Sequence, residues 1–148
     1  IAWRLISMSL DRIFNIAGSA MNAQTTRMNT TASNLANAGT VTGKENEAFR
    51  AKRTVFKTIL EGQQKSHEQG FAGGVRIEGI TDDPSPIRKM SEPTNPMADK
   101  DGYVYLANVN EMTEMVEMMA AARSYQNNVE VVNTTRQMLM RTIDIIKT

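Results

Sequence analysis

Between residues 9 and 37, apolar side chains recur at Leu10, Phe14, Ala17, Met21, Met28 and Leu35, with Gln24 and Thr31 filling the missing steps. Steps that alternate between four and three residues draw a heptad stripe along one face of a helix. The segment contains no Pro, and its only Gly is Gly18. Ser9 is expected to cap its start, Asp11 suits the positive end of the helix dipole, and Asn37-Ala38-Gly39 supplies a stop. A second stripe runs through Met115, Met118, Ala122, Tyr125, Val129, Val132, Leu139, Ile143 and Ile146, broken only by Arg136. Asn110, ahead of Glu111 and Glu114, makes a good helix start, and no Gly or Pro follows it. A helix from there to the end would be roughly 55 Å long, more than one small domain can cover.

The stretch between the two helices, residues 38–109, holds eight of the nine Gly and all four Pro. Ala48 to Gly62 fits neither helical nor strand periodicity cleanly, and both remain open. Val75 to Ile80 alternates as a short strand, Asp101-Gly102 forms a turn, and Tyr103 to Leu106 reads as a second strand. Pro84, Pro86, Pro93 and Pro96 keep Asp82 to Pro96 extended. The expected fold is therefore mainly α. Long N- and C-terminal helices, 9–37 and 110–148, pack as a helical bundle or coiled-coil arm forming an inner helical domain. A small β and loop-rich middle, 38–109, lies between them.

Composition sharpens this picture. Only 5% of the 148 residues are aromatic and eleven are Met, which favours adaptable helix packing over a rigid sandwich core. Seventeen basic and sixteen acidic side chains balance to +1, so nothing calls for nucleic acid. Without cysteine there is no disulfide framework or thiolate metal site. No apolar run approaches the ~20 residues of a membrane-spanning helix. Ile1 to Ser7 is too short for a signal peptide, and Met8-Ser9-Leu10-Asp11 reads as a natural start. Residues 1–8 are thus taken as an extension without assigned function, and export, if it occurs, is expected to proceed without a cleavable signal.

Candidate chemistry is thin. His67 is the only histidine and sits in a polar stretch without triad or zinc partners. Asp82 and Asp83 are neighbours beside Pro84, a turn-forming arrangement and not a pair set across a cleft. Asp99-Lys100-Asp101-Gly102 starts like a calcium loop, but the closing position, 110, is Asn. Gly70 to Gly74 lacks the Lys-Ser/Thr of a phosphate loop. Met112, Met115, Met118 and Met119 have no Cys or His beside them and are expected to serve packing. No catalytic, cofactor or metal residue is assigned, and no enzyme is expected. The two stripes stand out instead. They either pack on each other as an antiparallel hairpin or meet other chains in an assembly.

Several segments resemble a known family. Ala32-Ser33-Asn34-Leu35-Ala36-Asn37-Ala38-Gly39-Thr40 resembles the segment that closes the N-terminal helix of flagellar axial (rod and hook) proteins. Ala48 to Arg53, Gly74 to Ile80 with Asp83-Pro84-Ser85-Pro86, Asn95 to Asp99 with Asp101 to Val104, Glu114-Met115-Val116, and Ala122 to Glu130 resemble, in order, segments of the FlgC-like rod proteins. Phe49 stands where Tyr is usual and Asn128 where Ala is usual. The resemblance runs from about Met8 to the end.

It implies a structural subunit of the proximal rod of the flagellar basal body, a drive shaft spanning the periplasm that transmits torque and encloses the export channel. Such subunits are type III export substrates that polymerise through their terminal helices. The implied partners are copies of itself, other rod proteins, and the adaptor between membrane ring and export gate at the rod base. No nucleic acid, small-molecule substrate or membrane span is implied. The expected subunit interface is Leu10, Phe14, Ala17, Met21, Met28, Leu35, Met118, Tyr125, Val129, Val132, Leu139, Ile143 and Ile146. A helical regulator or export chaperone that binds partner helices is the competing reading.

Overall fold

The computed structural model describes residues 2–59 and 73–146. His67, the glycines up to Gly70 in the central break and the side chain of Ile146 lie outside what is described. Two helices of 36 residues each, α1 (Ala2–Asn37) and α2 (Glu111–Ile146), bracket five short strands.

Helix α1 does not begin at Ser9. It runs from Ala2, so Ser9 is an internal helical residue and not its first. The physical reason is that residues 2–8 contain no Gly or Pro, and extending an existing helix is cheap once its nucleus has formed. The other end stops at Asn37, as the sequence indicates. There the Thr40 hydroxyl and amide both donate to the Asn37 carbonyl, at 2.7 and 3.1 Å. Gly39 is not among the glycines with positive φ, so the stop rests on Thr40 and not on a left-handed glycine cap. Helix α2 starts as expected, because Asn110 Oδ1 accepts from the Thr113 amide at 3.1 Å.

The strands are β1 (Val41–Thr42), β2 (Lys52–Thr58), β3 (Val75–Asp82), β4 (Arg88–Ser91) and β5 (Tyr103–Leu106). The open stretch Ala48 to Gly62 resolves to strand over Lys52–Thr58, where Thr54, Val55, Phe56 and Thr58 are residue types suited to a pleated surface. Strands β2 and β3 form a two-stranded ribbon. Strand β5 is the centre of a three-stranded sheet, antiparallel to β1 with Val41 opposite Leu106, and to β4 with Met90 opposite Val104. Its centre is also its most buried point, with Val104 fully enclosed. Lys89 Nζ sits 3.9 Å from the Tyr103 ring centroid, which shields part of the sheet surface beneath a cation.

The residues fall into two compact units. One comprises Ile1–Thr25, Phe56–Glu78 and Ala121–Thr148, and the other Thr26–Val55 and Gly79–Ala120. Within the first unit the foot of β3 is fitted to α1. The Val75 amide donates to Ser19 Oγ at 3.2 Å, and the Ser19 hydroxyl donates to the Ile16 carbonyl at 2.8 Å. A Cβ on Gly74, whose φ is +137°, would lie 2.8 Å from that hydroxyl oxygen, so the close approach requires glycine. The second unit holds the small apolar core, Ala38, Ala51, Ala107 and Val109, with Phe49 packed against it.

Candidate assembly surface

In the second unit, Glu114 of α2 has no solvent exposure at all. A buried carboxylate is costly unless its charge and lone pairs are answered. Here Arg53 of β2 donates from Nη1 to Oε1 at 2.6 Å, and Asn34 of α1 donates from Nδ2 to Oε2 at 3.0 Å. Asn34 is itself fully buried. Its Oδ1 accepts the Lys52 amide at 2.8 Å and its Nδ2 also donates to the Lys52 carbonyl at 2.9 Å, as a neighbouring strand would. Arg53 reaches Asp83 as well, with Nε 3.2 Å from Oδ2.

Asp83 accepts from the amide and hydroxyl of Ser85, which with Arg53 hold its carboxyl below the ordinary aspartate value. Asn108 closes the far side, accepting from Ala51 N at 2.7 Å and donating to the Ser85 and Asp83 carbonyls. One turn along α2, Glu117 pairs with Arg27 of α1.

Sequence reading places Glu114 at the start of α2 as a partner of the helix dipole. The structure turns it inward instead. In the sequence, Glu114 and Asn34 stand out only as members of two family-like segments, which do not tell which way either side chain turns. The remaining candidate chemistry dissolves into local structure. Asp82 pairs with Lys52, away from Asp83, so the adjacent carboxylates do not act together. Asp99 accepts the amides of Tyr103 at 2.8 Å and Asp101 at 3.0 Å, which lower its carboxyl below the usual range and shape the turn. Among the described residues, no group of three or more His, Asp or Glu could hold a metal. No helix among them is long and apolar enough to cross a membrane.

The helical stripes divide into two kinds of surface. Leu10, Phe14, Met21, Met28 and Leu35 on α1 are half-buried and Ala17 is buried. On α2, Met118, Tyr125, Val129, Val132, Leu139 and Ile143 are likewise half-buried. Other large apolar side chains of α2 are left in solvent, among them Met115 of the stripe itself. Met112 is 71% exposed, Ile145 76%, and Met115, Val116, Met119, Val131, Met138 and Met140 are also exposed. Of the four clustered methionines, only Met118 packs within the chain, so the packing expected of Met112, Met115 and Met119 is not found there. Polar side chains on both helices turn back on their own backbone. Thr25, Thr30, Thr31 and Asn37 in α1, and Asn128, Thr135 and Thr142 in α2, each donate to the carbonyl four residues earlier.

A family described as flagella basal body rod protein matches residues 14–43, and one described as flagellar basal body rod FlgEFG protein C-terminal matches residues 100–145. The FlgC flagellar basal-body rod protein of Yersinia enterocolitica is 47% identical over 138 residues, covering 93% of this chain and 98% of that protein. Its counterpart in Salmonella typhimurium strain LT2 is 44% identical over the same coverage. The chain belongs to the FlgC family of flagellar basal-body rod proteins. FlgC relatives are structural rod components and not enzymes, in keeping with the absence of any catalytic constellation from the sequence. The two matched segments carry the two fully buried members of the cluster, Asn34 in the first and Glu114 in the second.

Proposed function

We propose that this chain polymerises through its terminal helices, with copies of itself and related rod proteins, into the proximal rod of the flagellar basal body. The rod is a drive shaft crossing the periplasm that passes torque through many subunit contacts and encloses the export channel. At its base it meets the adaptor between membrane ring and export gate. Residues 9–37 and 110–148 form the inner helical domain, packed in coiled-coil fashion against neighbouring helices, and 38–109 make the outer contacts. One observation carries this reading: two helices of 36 residues whose large apolar side chains stay half-open or open in the single chain. Isolated apolar residues are common on surfaces, but eight on one helix is a larger exposure than a lone soluble chain needs. A contact that does not close into a ring generates a helical array.

The interface comprises the stripe residues Leu10, Phe14, Met21, Met28 and Leu35 on α1, which the buried Ala17 supports from within, with Met118, Tyr125, Val129, Val132, Leu139, Ile143 and Ile146 on α2. Ile143→Asp tests it in cells. The expected result is lost motility and no rods in purified basal bodies, with secretion of the variant retained. Normal rods in that strain would sink the proposal.

A further inference from the structure

We infer that the Asn34–Arg53–Glu114 cluster, in which Asn34 and Glu114 are fully buried, is a register lock, which fixes how far α1 is slid along α2 within the second unit. Apolar contact alone does this poorly. It is non-directional, and a heptad stripe presents similar side chains after a slip of one turn, about 5.4 Å. The α1 stripe is further weakened here, since Gln24 and Thr31 replace apolar residues on either side of Met28.

The cluster is directional at every joint. Asn34 is keyed by both its amide atoms to the backbone of one residue, Lys52, so it cannot move along β2 without losing both bonds. Two donors then converge on Glu114, Arg53 Nη1 on one oxygen and Asn34 Nδ2 on the other. Only a group that accepts on both oxygens satisfies them, which is what an ionised carboxylate offers. Arg53 is in turn held by Asp83. A one-turn slip would leave Glu114 charged, enclosed and unanswered, the costliest state open to such a pair. Register setting is the best-attested role of buried polar groups between helices. The inference concerns the single chain and does not rest on polymerisation, so the two can fail separately.

The absence of cysteine makes the test direct. Asn29 and Thr113 are exposed and belong to the same unit, so each is replaced by Cys, nitroxide-labelled, and the distance between them is measured by pulsed electron paramagnetic resonance. The parent should give one narrow distance. Asn34→Leu with Glu114→Met keeps volume, leaves Arg53 its Asp83 partner and removes the lock. It should keep its helical circular dichroism but broaden or split the distribution, with components about 5 Å apart along the helix.

A second variant changes one joint only. Glu114→Gln keeps the side chain's size but offers a single acceptor oxygen to two donors, Arg53 Nη1 and Asn34 Nδ2, so it should broaden the distribution while helical circular dichroism is kept. An unchanged narrow distance in the apolar pair overturns the inference. Should that pair fail to fold, Glu114→Gln decides: a broadened distribution supports the lock, and a narrow distance unchanged from the parent overturns it.

Discussion

Asn34 and Lys52 face each other as two strands would. The Lys52 amide donates to Asn34 Oδ1 at 2.8 Å, and Asn34 Nδ2 returns a bond to the Lys52 carbonyl at 2.9 Å. A side chain from a helix thereby completes the edge of β2 and, through the same Nδ2, answers Glu114.

Asn34→Ala should accordingly cost more than the loss of one contact. It strands the Lys52 amide and carbonyl and removes a donor from an enclosed carboxylate. The expected destabilisation is about 2–4 kcal/mol, at the high end for a single polar truncation. Urea unfolding followed by circular dichroism measures it. A loss below about 0.5 kcal/mol, the level of an ordinary surface change, would contradict this account of the cluster.

Gly102 has φ +79°, and a Cβ there would lie 3.2 Å from Pro93 Cγ. Gly102→Ala is expected to lose about 1–2 kcal/mol from the left-handed backbone and the tight contact together. Thermal unfolding reads this directly, and an unchanged midpoint would show that the turn relaxes freely.

Acid should weaken the middle region through Asp83 and Asp99. Ser85, then Arg53, hold the first below its ordinary value of 3.8, and the Tyr103 and Asp101 amides do the same for the second. For a depressed folded value, the stabilisation is complete above the unfolded value and fades as pH falls through the folded one. Stability from these two groups is therefore expected to be flat near neutrality and to decline below about pH 4. Asp99→Asn should lessen that decline in a series of melting curves. A slope identical to the parent's would remove Asp99 from the explanation.

Met119→Asp addresses the outward face. Met119 is 58% exposed in the single chain, so the folded monomer should lose no more than about 0.5 kcal/mol. Rod assembly, scored by basal-body purification, should fall sharply if a neighbour covers this position. Intact rods would place Met119 on a face that stays in water.

Asn110→Ala removes the acceptor for the Thr113 amide and should cost about 1 kcal/mol. Hydrogen exchange at the first turn of α2 should rise locally while β5 stays protected.

The two helices, β3 and β5 were legible in the sequence because each carries a period, 3.6 or 2, or a cap with a known partner. Strands β1 and β4 were not. Arg88-Lys89-Met90-Ser91 is exposed at every position, so pairing with β5 leaves no apolar alternation to read. Ser9 misled for a related reason. A good capping residue only acts where the chain enters a helix, and residues 2–8 are already helical. Glu114 shows the deeper limit. An acid in a first turn satisfies the dipole rule whichever way it points, and only the positions of Asn34 and Arg53, 80 and 61 residues away in sequence, turn it inward. The apolar spacing of the stripes could not reveal that Met112, Met119 and Ile145 are also left exposed on the same helix.

The hydroxyls and amides that bond back to their own helix have a further effect. Thr25 and Thr142 are exposed with their hydroxyl oxygens already engaged, while Thr30, Thr31 and Thr135, engaged the same way, are buried. A surface of this kind issues no instructions about angle or distance to whatever lies on it. It tolerates a neighbour of slightly different shape, or one that shifts under load, without stranding a polar atom. Orientation is set instead where Asn34 and Glu114 are enclosed and the partly exposed Arg53 reaches in to meet them, and the outside is free to be forgiving.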